Sequence, residues 1–142
     1  MKKLLIICSS SFYSKIENID KALNKDFELV MPNCYLDNVT NESYENMSEL
    51  EYISFFKSMY LESREKINKV DCCLVLNFDK EKNGTIYKNY IGASTFLEMY
   101  EAFMHGKEIY IFNELDKSSM LYDEIRGFNP IILKGDLEKI SK

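Results

Sequence analysis

Short apolar runs alternate along the chain with stretches whose apolar residues recur every three or four positions. Residues 4–8 form a continuous apolar run and predict a buried strand. Ser14 followed by Glu17 reads as a capping box, opening a helix that carries Ile16, Ile19 and Leu23 on one face. Residues 27–31 predict a second strand, closed by Pro32, and the polar residues 33–43 a loop. Met47, Leu50, Ile53 and Phe56 share a helical face and open a region that continues to about Lys69, as one helix or as two. Residues 71–77 are the most apolar strand candidate of all. Asn83-Gly84 is a turn signal compatible with a hairpin. A helix over residues 95–105 shows an apolar stripe of Phe96, Met99, Tyr100 and Phe103 and stops at His105-Gly106. Residues 108–112 predict a fourth strand and residues 119–126 a short helix. Asn129-Pro130 then starts a fifth strand at residues 131–133, and the tail from Asp136 reads as one last turn.

Strand–helix alternation with strands that are apolar throughout means a parallel sheet covered on both faces. The expected fold class is α/β: a flavodoxin-like or Rossmann-like three-layer sandwich with five mostly parallel strands in the order 2-1-3-4-5, all in one domain spanning residues 1–142. Ligands of such sheets sit at the carboxyl ends of the strands, beside the switch in strand order. That directs attention to the loops after Cys8, Asn77 and Phe112.

Charge and cysteine usage narrow the function classes. The formal net charge of −5 argues against a nucleic-acid polymer as partner. No apolar run approaches the roughly 20 residues of a membrane span, and Ser9-Ser10-Ser11 interrupts what would otherwise look like the start of a signal peptide. A cytoplasmic protein with no membrane partner is expected. Three of the four cysteines, Cys8, Cys72 and Cys73, lie in strand-like runs, and none has zinc or redox-pair spacing, so buried free thiols are expected.

The candidate chemistry clusters in the predicted loops. Asn89-Tyr90-Ile91-Gly92-Ala93-Ser94-Thr95 leads from a strand and polar loop into a helix carrying Glu98. A glycine there lets a ligand approach the backbone, and a helix start offers unpaired N–H groups and a positive dipole end. Glu98 is a nucleophile or base in one reading. In the other it closes a capping box with Thr95, on the wheel face opposite the apolar stripe and beside Glu101 and His105. Asp79, just past the third strand, is either a proton donor or a solvated loop acid among Lys80, Glu81 and Lys82. Ser9, Ser10 and Ser11 either bind a phosphate or cap the first helix, and the chain lacks the dinucleotide and P-loop glycine patterns. His105 is the single histidine, at a helix end where a cation suits the dipole, so no multi-histidine metal site exists.

The segment Gly92-Ala93-Ser94-Thr95-Phe96-Leu97-Glu98-Met99, followed by Ala102 and Gly106-Lys107 before a strand, resembles the pattern of the nucleoside 2-deoxyribosyltransferases. The related 2′-deoxynucleoside 5′-monophosphate N-hydrolases share it. The run from Val70-Asp71 through Asn77-Phe78-Asp79 is similar to the family's segment of aspartate, apolar strand and aspartate. The resemblance implies cleavage or transfer at the N-glycosidic bond of a nucleoside or its 5′-monophosphate. It makes Glu98 the nucleophile and Asp79 an active-site acid. Sugar or phosphate binding is expected of Ser9, Ser10, Ser11, Asn89, Tyr90, Gly92, Ser94 and Thr95 in the surrounding loops. The resemblance also implies no metal or organic cofactor and a homo-oligomer of at least two chains. Asn89 and Tyr90 stand where the family carries a further aspartate. That difference leaves a hydrolase, or a non-catalytic nucleotide-binding or sensing module, as alternatives, with a subunit of vestigial pocket as a third.

Overall fold

The computed structural model describes residues 1–37 and 41–142, the side chains of residues 41 and 42 excepted. Strands β1 (Lys2–Ile7), β2 (Phe27–Val30), β3 (Cys72–Val75), β6 (Glu108–Ile111) and β7 (Ile131–Ile132) form one five-stranded sheet. The hairpin strands β4 (Lys80–Lys82) and β5 (Thr85–Tyr87) stand apart from it. The sheet order is β2-β1-β3-β6-β7, with every neighbouring pair parallel. With the hairpin left out of the count, this is the expected 2-1-3-4-5 order of a flavodoxin-like fold.

The apolar strands are continuous because both faces are covered. Leu4, Ile6, Cys72 and Leu74 pack with Ile16, Ile19 and Leu23 of helix α1 (Tyr13–Leu23) on one side. Leu5, Ile7, Cys73 and Val75 pack with Ile67 of α2 (Glu49–Lys69), Met99 and Ala102 of α3 (Ala93–Met104) and Ile125 of α4 (Tyr122–Gly127) on the other. Cys8, Cys72 and Cys73 are buried free thiols, and Cys34 is free and half-buried.

The helix starts differ from the sequence reading. A 3-10 turn at Ser10–Phe12 precedes α1, and Ser9, not Ser14, supplies the cap, its Oγ accepting from the Ser11 N–H. Glu17 is thereby released from the predicted capping box and pairs with Lys21 one turn on. The region from residue 49 is one unbroken helix with Ser48 as its cap. Its leading apolar face is not core: Leu50 is 79% and Ile53 53% exposed. The Asn83-Gly84 turn makes a hairpin, with positive φ at both residues (53° and 77°), the geometry of a two-residue type I′ turn. Helix α3 ends as predicted: Gly106 takes φ +67°, its N–H donating to Phe103 O and that of Lys107 to Ala102 O.

Candidate active site

The switch in strand order lies between β1 and β3, and the chain opens there into a cavity of about 190 Å³. Cys8, Ser9 and Ser10 after β1 form one wall and Pro32, Asn33 and Cys34 after β2 another. Tyr13, Tyr44, Met59 and Lys80 close the sides, and Tyr90, Gly92, Ala93, Ser94, Thr95 and Glu98 line the α3 end.

Helix α3 begins two residues earlier than its periodicity suggested. Gly92 is the N-cap and offers no side-chain capping bond, so Thr95 is an interior helical residue, 3% exposed. The capping-box reading of Thr95 and Glu98 therefore falls, and Glu98 stands in the second turn rather than the first. The apolar stripe is rotated too. Thr95, Met99 and Ala102 face the core, while Tyr100 and Phe103 are nearly half exposed. This rotation turns Glu98 toward α2 and the cavity instead of solvent.

The carboxylate meets α2 at a small residue. Ser63 Oγ donates to Glu98 Oε2 at 3.1 Å and accepts from Asn33 Nδ2 at 2.7 Å. Burial raises the Glu98 pKa from its ordinary 4.5 to about 7, while the Ser63 hydrogen bond and the nearby Lys66 ammonium act in the opposite sense. The same surroundings push the Cys8 thiol up to about 12, first by burial and then by the charge of Glu98. Lys80 is the cation among the cavity-lining residues, and burial followed by Lys82 lowers its pKa. Its Nζ lies 4.7 Å from the centre of the Tyr90 ring.

Asp79 takes another position. It is exposed, does not line the cavity, and its Oδ1 accepts from the Asn89 N–H at 2.9 Å. Asn89 has φ +48°, and its Nδ2 donates to Glu114 O, so Asp79 and Asn89 together fix the loop that delivers Tyr90. Ser11 is exposed, and its N–H serves the Ser9 cap. Among the described residues Glu98 is the single carboxylate lining this cavity. His105 Nδ1 lies 2.8 Å from Glu101 O at the end of α3, a helix-end contact. Among the described residues no group of three or more His, Cys, Asp or Glu is placed to hold a metal ion, and no helix is long and apolar enough to cross a membrane. A second, more apolar cavity of about 590 Å³ lies between Asn89–Phe96 and the Leu115–Ile125 segment, sharing Tyr90, Gly92 and Ala93 with the first.

No family model matches the chain, and no curated protein matches it in sequence. Solved structures do match. A 2-deoxyribosyltransferase from Bacillus psychrosaccharolyticus superposes with a TM-score of 0.52 at 15% identity, over 84% of this chain and 78% of that one. A CMP N-glycosidase from Clostridium botulinum superposes with a TM-score of 0.52 at 13% identity, over 94% of this chain and 90% of that one. The fold is that of these two enzymes. At such identities the likeness is one of architecture, and it agrees with the sequence resemblance to the nucleoside 2-deoxyribosyltransferases.

Of the candidates in the turn and first loop, the fold brings Ser9, Ser10, Tyr90, Gly92, Ser94, Thr95 and Glu98 to one cavity. It leaves Ser11, Asp79 and Asn89 outside the lining. Sequence reading passed over Asn33, Ser63 and Lys80. Asn33 follows Pro32 in an otherwise ordinary loop, and Ser63 sits in a helix with weak amphipathicity, so only the packing of α2 on α3 reveals them.

Proposed function

We propose that the chain breaks the N-glycosidic bond of a deoxynucleoside or its 5′-monophosphate, with Glu98 as nucleophile. The observation that carries this reading is a single carboxylate held by a hydroxyl donor in a small, half-closed cavity lined by serines at the α3 N-terminus. A volume of about 190 Å³ suits a pentose better than a whole nucleoside. A Glu98 oxygen attacks the anomeric carbon, the C–N bond breaks, and the bonding pair leaves with the base. The base then takes a proton. Lys80, the ammonium in the lining, is the proposed donor, since Asp79 lies outside the lining and holds the Asn89 N–H. Water or a second base opens the sugar–enzyme ester and restores the carboxylate. Ser9, Ser10, Ser94 and the α3 amide groups hold the sugar hydroxyls or a 5′-phosphate.

We further read the exposed apolar side chains of α2 and α3 as the contact of a homo-oligomer. Tyr60, Leu61, Leu97 and Tyr100 line a groove of about 370 Å³ that reaches Ser63 and Glu98 from behind. Burial of that groove by another chain would remove Glu98 further from water.

The test is chromatography for free base after incubation with deoxynucleosides, ribonucleosides and their 5′-monophosphates, run beside Glu98→Ala. A base peak that disappears in the variant supports the nucleophile, and equal peaks in both proteins overturn it. A second reading, a nucleotide-binding module without turnover, is favoured by the absence of a second carboxylate from the cavity lining among the described residues. Calorimetric binding of a nucleotide with no base released would establish it.

A further inference from the structure

Two serines of helix α2, the exposed Ser58 and the buried Ser63, use their hydroxyls differently. Ser58 does what serines in helices commonly do, its hydroxyl bonding back to Phe55 O at 2.8 Å. Ser63 makes no such bond and turns away from its own helix, and the carbonyl four residues before it, Met59 O, accepts from Asn33 Nδ2 at 3.1 Å. The same amide donates to Ser63 Oγ at 2.7 Å. A hydroxyl has one proton. With its own oxygen accepting from Asn33, Ser63 turns its proton to Glu98 Oε2. The Met59 carbonyl also fixes which end of the Asn33 amide is the nitrogen, because a carbonyl oxygen there would face another oxygen. Asn33 Oδ1 is left buried with no hydrogen-bond partner among the described residues. An orphaned buried acceptor costs stability and calls for a compensating role. The Tyr13 hydroxyl, donating to Asn33 O at 2.8 Å, holds the residue in place.

We infer that Asn33 and Ser63 are positioning residues for Glu98: the Asn33 amide directs the Ser63 proton onto the carboxylate, which orients it and favours its ionised form. This rests on Glu98 being the working acid of the proposed function, and it adds to that reading a relay from β2 through α2 to α3. The other titratable or charged groups near the carboxylate are Cys8 after β1, Cys73 in β3, Tyr13 on α1, Cys34 after β2, Tyr44, Arg64 and Lys66 on α2, Glu101 on α3 and Lys80 on the hairpin. Burial pushes the thiols and phenols upward, so they stay neutral while Glu98 titrates.

The experiment follows the side-chain carboxyl of Glu98 by carbon NMR against pH, its signal identified by loss in Glu98→Gln. Wild type is compared with Ser63→Ala, Asn33→Leu and the double variant, and Asn33→Ala replaces Asn33→Leu should the latter fail to fold. The expected result is an upward midpoint shift of at least half a pH unit in each single variant. The double variant should move no further than Ser63→Ala alone, and Ser63→Thr should stay at the wild-type value. The acid limb of the rate profile should move by the same amount. A midpoint unmoved in the Asn33 variant, or single shifts that add in the double, overturns the relay. Failure of the parent reading looks different: base release would persist in Glu98→Ala whatever the titration showed.

Discussion

Asn77 and Asn113 hold each other across the carboxyl ends of β3 and β6. Asn77 Oδ1 accepts from the Asn113 N–H at 2.8 Å, Asn113 Nδ2 donates to Asn77 O at 2.9 Å, and Asn77 Nδ2 donates to the carbonyls of Asn113 and Glu114 at 3.1 and 3.3 Å. Asn77 is fully buried, so these bonds replace water completely. The clasp pins Glu114 O, to which Asn89 is tied in turn. Asn77→Ala strips partners from several buried groups and should lower unfolding stability by about 2–3 kcal/mol, measured by urea denaturation. It should also loosen the Asn89–Tyr90 loop. A loss below about 0.5 kcal/mol would mean that the strand ends are held mainly by packing.

The elevated pKa of Glu98 makes stability depend on pH. A carboxyl that titrates at about 7 when folded and near its ordinary 4.5 when unfolded binds its proton more tightly in the native state. Its contribution is therefore full below pH 4.5 and is lost as pH rises through 7. Glu98→Gln does not titrate and keeps its stability across this window. Relative to wild type, the variant should gain on the order of 3 kcal/mol at most between pH 5 and pH 8. Denaturant melts of the two proteins at both pH values measure the difference. A constant gap would show that the native carboxyl is not destabilised by burial.

The order of strands was legible because the central strands carry apolar runs, residues 4–8 and 72–76, that alternate with helices, the pattern of a parallel sheet covered on both faces. Asn83-Gly84 likewise announced its hairpin through residues that accept positive φ. The candidate site was half legible. Its turn and its glutamate are local patterns, but the direction in which Glu98 faces depends on where α3 begins, and Gly92 starts it without a side-chain cap that the sequence could advertise. Tyr100 and Phe103 misled the wheel because they are large and apolar yet exposed. Asn33, Ser63 and Lys80 reach the site through contacts between elements distant in sequence, and no spacing rule encodes those. Asp79 stayed open in the sequence, because a proton donor and a loop-holding acid look the same just after a strand, and the structure ties its Oδ1 to the Asn89 N–H.

Lys80 supplies a test of substrate class. It lines the Glu98 cavity, and burial lowers its pKa, a sign that its charge lacks full solvation and would gain from an anion. Lys80→Met keeps the stem packing against Tyr90 and removes the charge. With Lys80 as proton donor to the leaving base, its loss should lower kcat/KM by roughly 100-fold or more for nucleosides and monophosphates alike. A fall of roughly 10- to 100-fold confined to the monophosphates would instead make Lys80 a phosphate ligand, a loss in the range of a hydrogen bond to a charged group.

Gly92 tests how tightly the turn closes over the site. A Cβ built there would lie 2.9 Å from the Tyr90 hydroxyl, too close to stand, and the hydroxyl is the free end of a mobile side chain. The backbone is ordinary at this position (φ −83°), so no conformational strain is added. Gly92→Ala should still lower the melting temperature by a few degrees, because Ala is a poorer N-cap than Gly and the Tyr90 ring must move aside. Because Tyr90 borders both cavities, KM should rise more than kcat falls. A collapse of folding would show that the turn has no room to yield.

The apolar face of α2 and α3 leads to the prediction of assembly. Leu61 is 54%, Leu97 46%, Tyr100 48% and Phe103 45% exposed, and they sit together on adjoining helices with the Arg64–Glu101 ion pair at their edge. Soluble chains seldom leave contiguous apolar patches of this kind uncovered, and the pair of helices could cover itself by packing against the same face of a second copy. Light scattering after size exclusion should give at least twice 16.7 kDa for the wild-type chain. Leu61→Glu and Leu97→Glu each place a charge in the centre of the patch and should convert the protein to monomer without altering its far-UV circular dichroism. A groove that reaches Glu98 from behind also predicts that the monomeric variants lose activity at substrate saturation, with the acid limb of the rate profile moving downward as water reaches the carboxylate. A wild-type chain that elutes as a monomer at micromolar concentration overturns the assembly, and monomeric variants with unchanged rate profiles would confine it to a structural role.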